Sequence, residues 1–120
     1  MIDWDVERLG AALSERFKEI APDAVQPYCD DGYLYFGASS YPFEENYYAA
    51  GGGTAALLQV CVKALSALQD EVSDLTHEPW PGLHEQPEAS GAIEGDVLYL
   101  WYGDQHTPVL KCAPIELFTR

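Results

Sequence analysis

The stretch that decides the fold is residues 54–75, which read TAALLQVCVKALSALQDEVSDL. Apolar side chains recur every three or four residues, which is the period of an α-helix with a buried face. This spacing predicts a helix from Thr54, as its N-cap, to about Leu75. The stripe is wide enough to bury most of the first four turns, and it comprises Leu57, Leu58, Cys61, Val62, Ala64, Leu65, Leu68, Val72 and Leu75.

A second amphipathic helix is predicted over residues 3–20. Asp3 is placed to cap its first turn, and Pro22 is placed to end it. The apolar residues of this segment lie three or four positions apart, at Val6, Leu9, Leu13, Phe17 and Ile20.

The strands are predicted between and after these helices. Residues 24–38 form two apolar runs around Asp30-Asp31-Gly32, and Asp-Gly between such runs indicates a hairpin. Pro27 lacks an N–H, which places its strand at a sheet edge. Residues 96–102, DVLYLWY, are an unbroken apolar run and predict a central strand. A shorter strand is predicted at 109–112, one extra short strand is allowed near 92–94, and residues 115–118 are a last apolar stretch.

The element order is therefore α-β-β-α-β-β within a single domain of 120 residues. This order predicts an α+β two-layer sandwich, with two helices packed on one face of a mainly antiparallel sheet of four or five strands. Residues 39–53 and 76–95 are predicted to be long connections, and connections of this length are often functional.

The charge of the chain is its most unusual property. Asp and Glu number 20 against 6 Lys and Arg, which gives a net charge of −14. Such a field repels nucleic acid and anionic membrane, and it favours a basic protein partner. The chain shows neither a membrane-spanning apolar run nor a signal peptide at its start. Three widely spaced cysteines indicate a reducing compartment, so we expect a cytoplasmic protein.

The candidate catalytic and metal-binding motifs lack the residues or the spacing that their chemistry requires. Gly51-Gly52-Gly53-Thr54 precedes a helix, but the Lys of a phosphate-binding loop is missing. His77-Glu78 and His84-Glu85 are separated by prolines, which forbid the helical His-Glu-x-x-His geometry. We therefore expect no cofactor and no bound metal.

Nucleophile motifs are equally incomplete. Cys112 and His106 flank a turn, but no basic neighbourhood lowers the pKa of a thiol there. Asp104 and His106 suit two parts of a hydrolytic triad, yet Ser39 and Ser40 lack the Gly-x-Ser-x-Gly context of a nucleophile. We therefore expect no enzymatic activity.

A partner-binding surface is predicted on the two long connections, where aromatic side chains alternate with acids. Aromatic residues anchor interfaces, while acids steer a basic partner. The predicted contact residues are Tyr41, Phe43, Glu44, Glu45, Tyr47 and Tyr48 in the first connection, and Asp70, Asp74, Glu78, Trp80, Glu85 and Glu88 around the second.

Three segments of the C-terminal third carry a resemblance: Glu78-Pro79-Trp80-Pro81, Gly95 to Asp104, and Pro108-Val109-Leu110. Here the chain resembles small uncharacterised acidic proteins of high-GC actinobacteria. In size and charge it is also similar to the immunity proteins that neutralise polymorphic toxins. This likeness implies an inhibitor, monomeric or homodimeric, that covers the active site of a basic toxin such as a nuclease. The alternatives are an acidic secretion chaperone or adaptor, and a small enzyme.

Overall fold

A computed structural model of the chain describes residues 6–82 and 86–117. Helix α1 spans Val6–Ile20 and ends before Pro22, as predicted. Its buried face consists of Leu9, Leu13 and Phe17. The predicted cap Asp3 lies outside the described residues.

The predicted hairpin forms the first sheet, sheet A. It contains β1 (Tyr28–Asp30), β2 (Tyr33–Tyr35) and β3 (Ser40–Tyr41), all antiparallel and in that order. The two-residue turn has φ values of 49° at Asp31 and 81° at Gly32. Positive φ at both central positions defines the type I′ turn that suits the twist of paired strands. The strand after Pro27 is at the edge of the sheet, as predicted.

Residues 39–53 are not a loop, which corrects the prediction for this segment. Besides β3, they contain a seven-residue helix, α2, spanning Phe43–Ala49. Phe43 anchors this helix in the core with 1% of its surface exposed. Glu44 and Glu45 lie in its first turn, where their negative charges interact favourably with the positive end of the helix dipole. The structure therefore describes a third helix, which is stabilised by the packing of Phe43 in the core and is too short to show a repeating apolar pattern.

The central helix, α3, spans Gly53–Thr76 and matches the prediction closely. Its N-cap is Gly52 rather than Thr54, and Gly52 has no side chain with which to cap the helix. At the other end, His77 adopts a left-handed conformation and donates its backbone N–H to Ser73. Most of the predicted apolar stripe is buried through Val72, while Leu58 and Val62 are part-buried. Leu75 was predicted to belong to the stripe but is 49% exposed, because the last turn of the helix extends beyond the core.

The second sheet, sheet B, is antiparallel, with β5 in its centre. The alternation of buried and part-exposed residues along β5 shows that one face is covered and the other open. Tyr102 points to the covered face and donates its hydroxyl to the Leu65 carbonyl of α3 over 2.6 Å. The strands are β4 (Ala89–Glu94), β5 (Val97–Gly103), β6 (Pro108–Lys111) and β7 (Ile115–Glu116), with β4 on one side of β5 and β6 and β7 on the other.

The α+β class is confirmed, with one difference in architecture. The strands form two sheets of three and four strands rather than one sheet of four or five. Helix α3 contacts strands of both sheets, and α1 packs on β1 and β2. One continuous cluster of buried apolar residues joins both sheets and the helices. No helix in the described part of the chain is long and apolar enough to cross a bilayer.

Candidate functional site

Two of the predicted contact residues lie in the core. Tyr41 has 9% of its surface exposed and Phe43 has 1%. Both residues were assigned to a loop surface, but β3 and α2 turn their side chains inward. The structure therefore removes Tyr41 and Phe43 from any contact surface. Their neighbours in this segment, Glu44, Glu45 and Tyr48, are exposed, and Tyr47 is part-buried.

The two halves of the predicted surface lie at opposite ends of α3. Tyr47 is beside the first residue of the helix, since its hydroxyl accepts the Gly53 N–H over 2.9 Å. Asp74 lies in the last turn, and Glu78 follows the helix. A helix of this length extends about 36 Å. The two connections therefore do not form one contiguous patch.

The acidic segment after residue 70 is mostly exposed, but its aromatic residue is not free to act as an anchor. Asp70 accepts a hydrogen bond from the Gln86 amide over 3.2 Å. Trp80 is part-buried against the core, with its ring edge-on to Tyr102 at a centroid distance of 5.3 Å. The acids Asp74, Glu78 and Glu88 are exposed, and Glu85 lies outside the described residues.

A different surface combines exposed aromatic rings with acids. We call it the hairpin face, and it consists of Tyr28, Asp30, Asp31, Tyr33 and Tyr35. The Tyr35 ring stacks on Tyr28 at 4.9 Å and on Tyr33 at 6.0 Å between centroids. Tyr28 is 54% exposed and Tyr33 is 37% exposed. Such continuous exposure of large rings is typical of an interaction surface.

The register of the hairpin places these rings together. Tyr28 lies opposite Tyr35, and Asp30 lies opposite Tyr33. Between the two tyrosines of β2, Leu34 points the other way and is fully buried. Sequence reasoning identified the turn and both runs but missed this face, although the alternation Tyr-Leu-Tyr was a signal for it.

Carboxylates cluster around the turn at one end of the hairpin. Asp30 and Asp31 belong to the hairpin face and, with Glu7 and Glu44, also line a pocket of about 320 Å³ beside Cys29, whose side chain lies on the opposite side of the ribbon with Leu34. Burial is the main cause of the raised pKa of the Cys29 thiol. The negative charges of Asp30, Glu7 and Glu44 raise this pKa further. The ion pairs between described residues both lie further along α1 and include none of these acids. The turn end of the hairpin is therefore negative, with Asp30 and Asp31 next to the tyrosine rings.

These acids do not converge as metal ligands. Among residues 6–82 and 86–117, no group of three or more His, Cys, Asp or Glu is arranged to hold a metal ion. The carboxylates instead spread around a turn, where they can each meet a separate cation. The arrangement can attract basic side chains and stack them on tyrosine rings.

The other candidate residues of the sequence are two buried thiols and a pair of residues in a turn. Burial raises the pKa of Cys61, and it raises the pKa of Cys112 to about 12, so both thiols stay protonated at neutral pH. Asp104 accepts the backbone N–H of His106 over 2.8 Å and so stabilises the turn between β5 and β6.

Comparisons of the chain with protein-family models, with curated proteins and with solved structures gave no match. The functional argument therefore rests on the residues and geometry of this chain. The resemblance to immunity proteins stays a prediction.

Proposed function

We propose that this protein is a non-enzymatic acidic module that binds a basic protein, as an immunity-type inhibitor covering the active site of a toxin such as a nuclease. One observation carries the proposal: the stacked, exposed tyrosines of the hairpin face adjoin Asp30 and Asp31, which make no ion pair with another described residue. The three cysteines are free thiols, which supports a place in the reducing cytoplasm.

The two kinds of side chain make separate contributions to binding. Tyrosines offer large contact areas with few rotatable bonds, and their faces attract Arg and Lys by cation–π interaction. Carboxylates speed the encounter with a basic partner by long-range steering, which salt screens. A positively charged toxin surface fits both, because its cations can reach the acids while their stems cover the rings.

The exposed acids at the end of α3 have a different place in this proposal. Asp74 and Glu78 add to the negative field, but the nearest aromatic residue in the described sequence, Trp80, packs against the core. We therefore assign them to steering and assign the contact itself to the hairpin face.

The proposal is tested with two variants that change the net charge equally. Asp30→Asn with Asp31→Asn neutralises the hairpin face, and Asn tolerates the left-handed turn position at 31. Asp74→Asn with Glu78→Gln is the matched control. Basic proteins captured from the native host at low salt are purified, and their association and dissociation rates are measured against wild type and both variants.

We expect the hairpin variant to slow association at least about tenfold, and the control to slow it only a few-fold. A third variant, Tyr28→Ser with Tyr33→Ser, should raise the dissociation rate at least about tenfold, since interface aromatics contribute about 2 kcal/mol or more. Binding of equimolar protein should abolish the partner's toxic activity. A partner that binds wild type and all variants alike would refute the hairpin face, and a partner that keeps its activity when bound would refute inhibition.

A further inference from the structure

The open face of sheet B contains a groove that the proposed function does not use. It has a volume of about 540 Å³, within the range of small-ligand sites. Tyr99 and Trp101 lie in its lining, side by side along β5 on the face turned away from α3. Pro108 and His106 also line it. Both aromatic residues are only part-buried, so their rings are partly accessible.

The groove contains one of the few cationic residues of the chain. Lys111 lies directly across from Trp101 in the register of β5 and β6. No ion pair joins Lys111 to another described residue. Its ammonium group is therefore available to a ligand beside an aromatic wall.

The charges of the groove are arranged along its length. Glu94 also lines it, but it pairs with Val97, four residues along β5 from the Trp101–Lys111 pair. Four residues of a strand span about 13 Å, so the backbone positions of Glu94 and Lys111 lie toward different ends of the groove. Asp104 is outside the lining and is engaged with the backbone of His106. A ligand with a single negative group is therefore favoured at the Lys111 end.

We propose that this groove binds a small planar aromatic anion, with its ring on Tyr99 and Trp101 and its negative group at Lys111. The aromatic walls supply stacking and apolar burial, while a Lys–anion contact fixes the orientation. Charge complementarity selects this occupant, since a cation would face Lys111 at close range. The site is independent of the hairpin face, which lies on the other sheet.

The probe for this site is anilinonaphthalene sulfonate, and N-phenyl-naphthylamine is its uncharged counterpart with the same rings. Dissociation constants are measured by fluorescence on the natively folded full chain, whose fold is checked by near-ultraviolet circular dichroism. Lys111→Gln should weaken sulfonate binding about tenfold and leave the neutral probe within about twofold. Lys63→Gln, an equal charge change on α3, is the control and should alter neither. Trp101→Phe should weaken both probes.

The position of the bound ligand is tested separately, by NMR. In nitrogen–proton spectra, the sulfonate should shift the indole signal of Trp101 and leave that of Trp80 unchanged, because Trp80 packs against the core beside Tyr102. Glu94→Gln should strengthen sulfonate binding slightly. The proposal is overturned if the native protein does not bind the sulfonate, if both lysine variants weaken it equally, or if the Trp101 signal does not move.

Discussion

The open faces of the two sheets are built by the same alternation of side chains but differ in charge and shape. Sheet A presents stacked tyrosines with Asp30 and Asp31 on an exposed hairpin. Sheet B presents Tyr99 and Trp101 in a groove with Lys111. Aromatic rings alone therefore do not define what a sheet face binds. We propose that the charge beside the rings does so, because acids favour cations on one face and Lys111 favours an anion on the other.

The difference also reflects how each face is supported. The hairpin face belongs to a short ribbon whose buried side is held by Leu34 and α1, and its tyrosines Tyr28 and Tyr33 are exposed on the other side. The face of sheet B is flanked by β4 and β6 and by the turn after β5, which makes it concave. An exposed face suits a protein surface, whereas a concave one suits a small molecule.

The largest effect is expected from breaking the core that both faces share. Leu34→Ala and Leu100→Ala each truncate a buried leucine, one in each sheet. Each change should lower the free energy of unfolding by about 2–5 kcal/mol. Because one apolar cluster joins both sheets, either variant should reduce amide protection in β2 and β5 together. Hydrogen exchange followed by NMR measures this, and loss of protection confined to the mutated sheet would show that the two faces fold separately.

A smaller loss of stability is expected from disturbing only the packing between α3 and sheet B. A Cβ atom at Gly91 would lie 2.8 Å from Leu100 Cδ2, 3.0 Å from the Tyr99 carbonyl oxygen and 3.1 Å from Val62 Cγ2. Gly91→Ala should therefore lower stability by about 1–3 kcal/mol, because the neighbouring backbone cannot retreat without weakening the strand pair.

The control for this change is Ser90→Ala on the open face of the same strand. It should leave the thermal midpoint nearly unchanged. Gly91→Ala should also leave binding at the hairpin face intact, since the main contacts of β4 are with β5 and α3. Equal midpoints for the two variants, measured by circular dichroism, would contradict the close packing of α3 on β4.

The sequence predicted the elements whose signals are local. Residues 97–102 are apolar throughout, so a central strand followed directly, and the turn residues at 31 and 32 fixed the first hairpin. Helix α2 was missed because a seven-residue helix has almost no periodicity, and Phe43 holds it only through contacts with distant residues. Strand β4 was seen only at its end, because Ala89, Ser90 and Gly91 have low strand propensity and pair through β5.

The sequence predicted which types of residue form the candidate site but not which positions they occupy. Acids interleaved with aromatic residues were expected, yet Tyr41, Phe43 and Trp80 fit that pattern while packing against the core. Composition cannot distinguish an exposed ring from a buried one, since that depends on which side of a strand faces the helices. The stacked pair of Tyr28 and Tyr35 required the cross-strand register as well.

The smallest effect is expected at Cys29, which lies behind the hairpin face and responds to the acids around the turn even when no partner is bound. Burial is the main cause of its raised pKa, and Asp30, Glu7 and Glu44 add to it because negative charge disfavours the thiolate. Asp30→Asn should therefore lower the pKa of Cys29 toward its ordinary value and raise its alkylation rate by iodoacetamide about two- to threefold at mildly alkaline pH. Asp104→Asn, the same charge change beside sheet B, should have no effect. The buried Cys61 and Cys112 should stay slow in every variant, so mass spectrometry of the labelled peptides isolates the Cys29 rate. Equal acceleration by Asp30→Asn and Asp104→Asn would mean that the thiol responds to net charge rather than to the acids around the hairpin, and the electrostatic contrast between the two faces would then be lost.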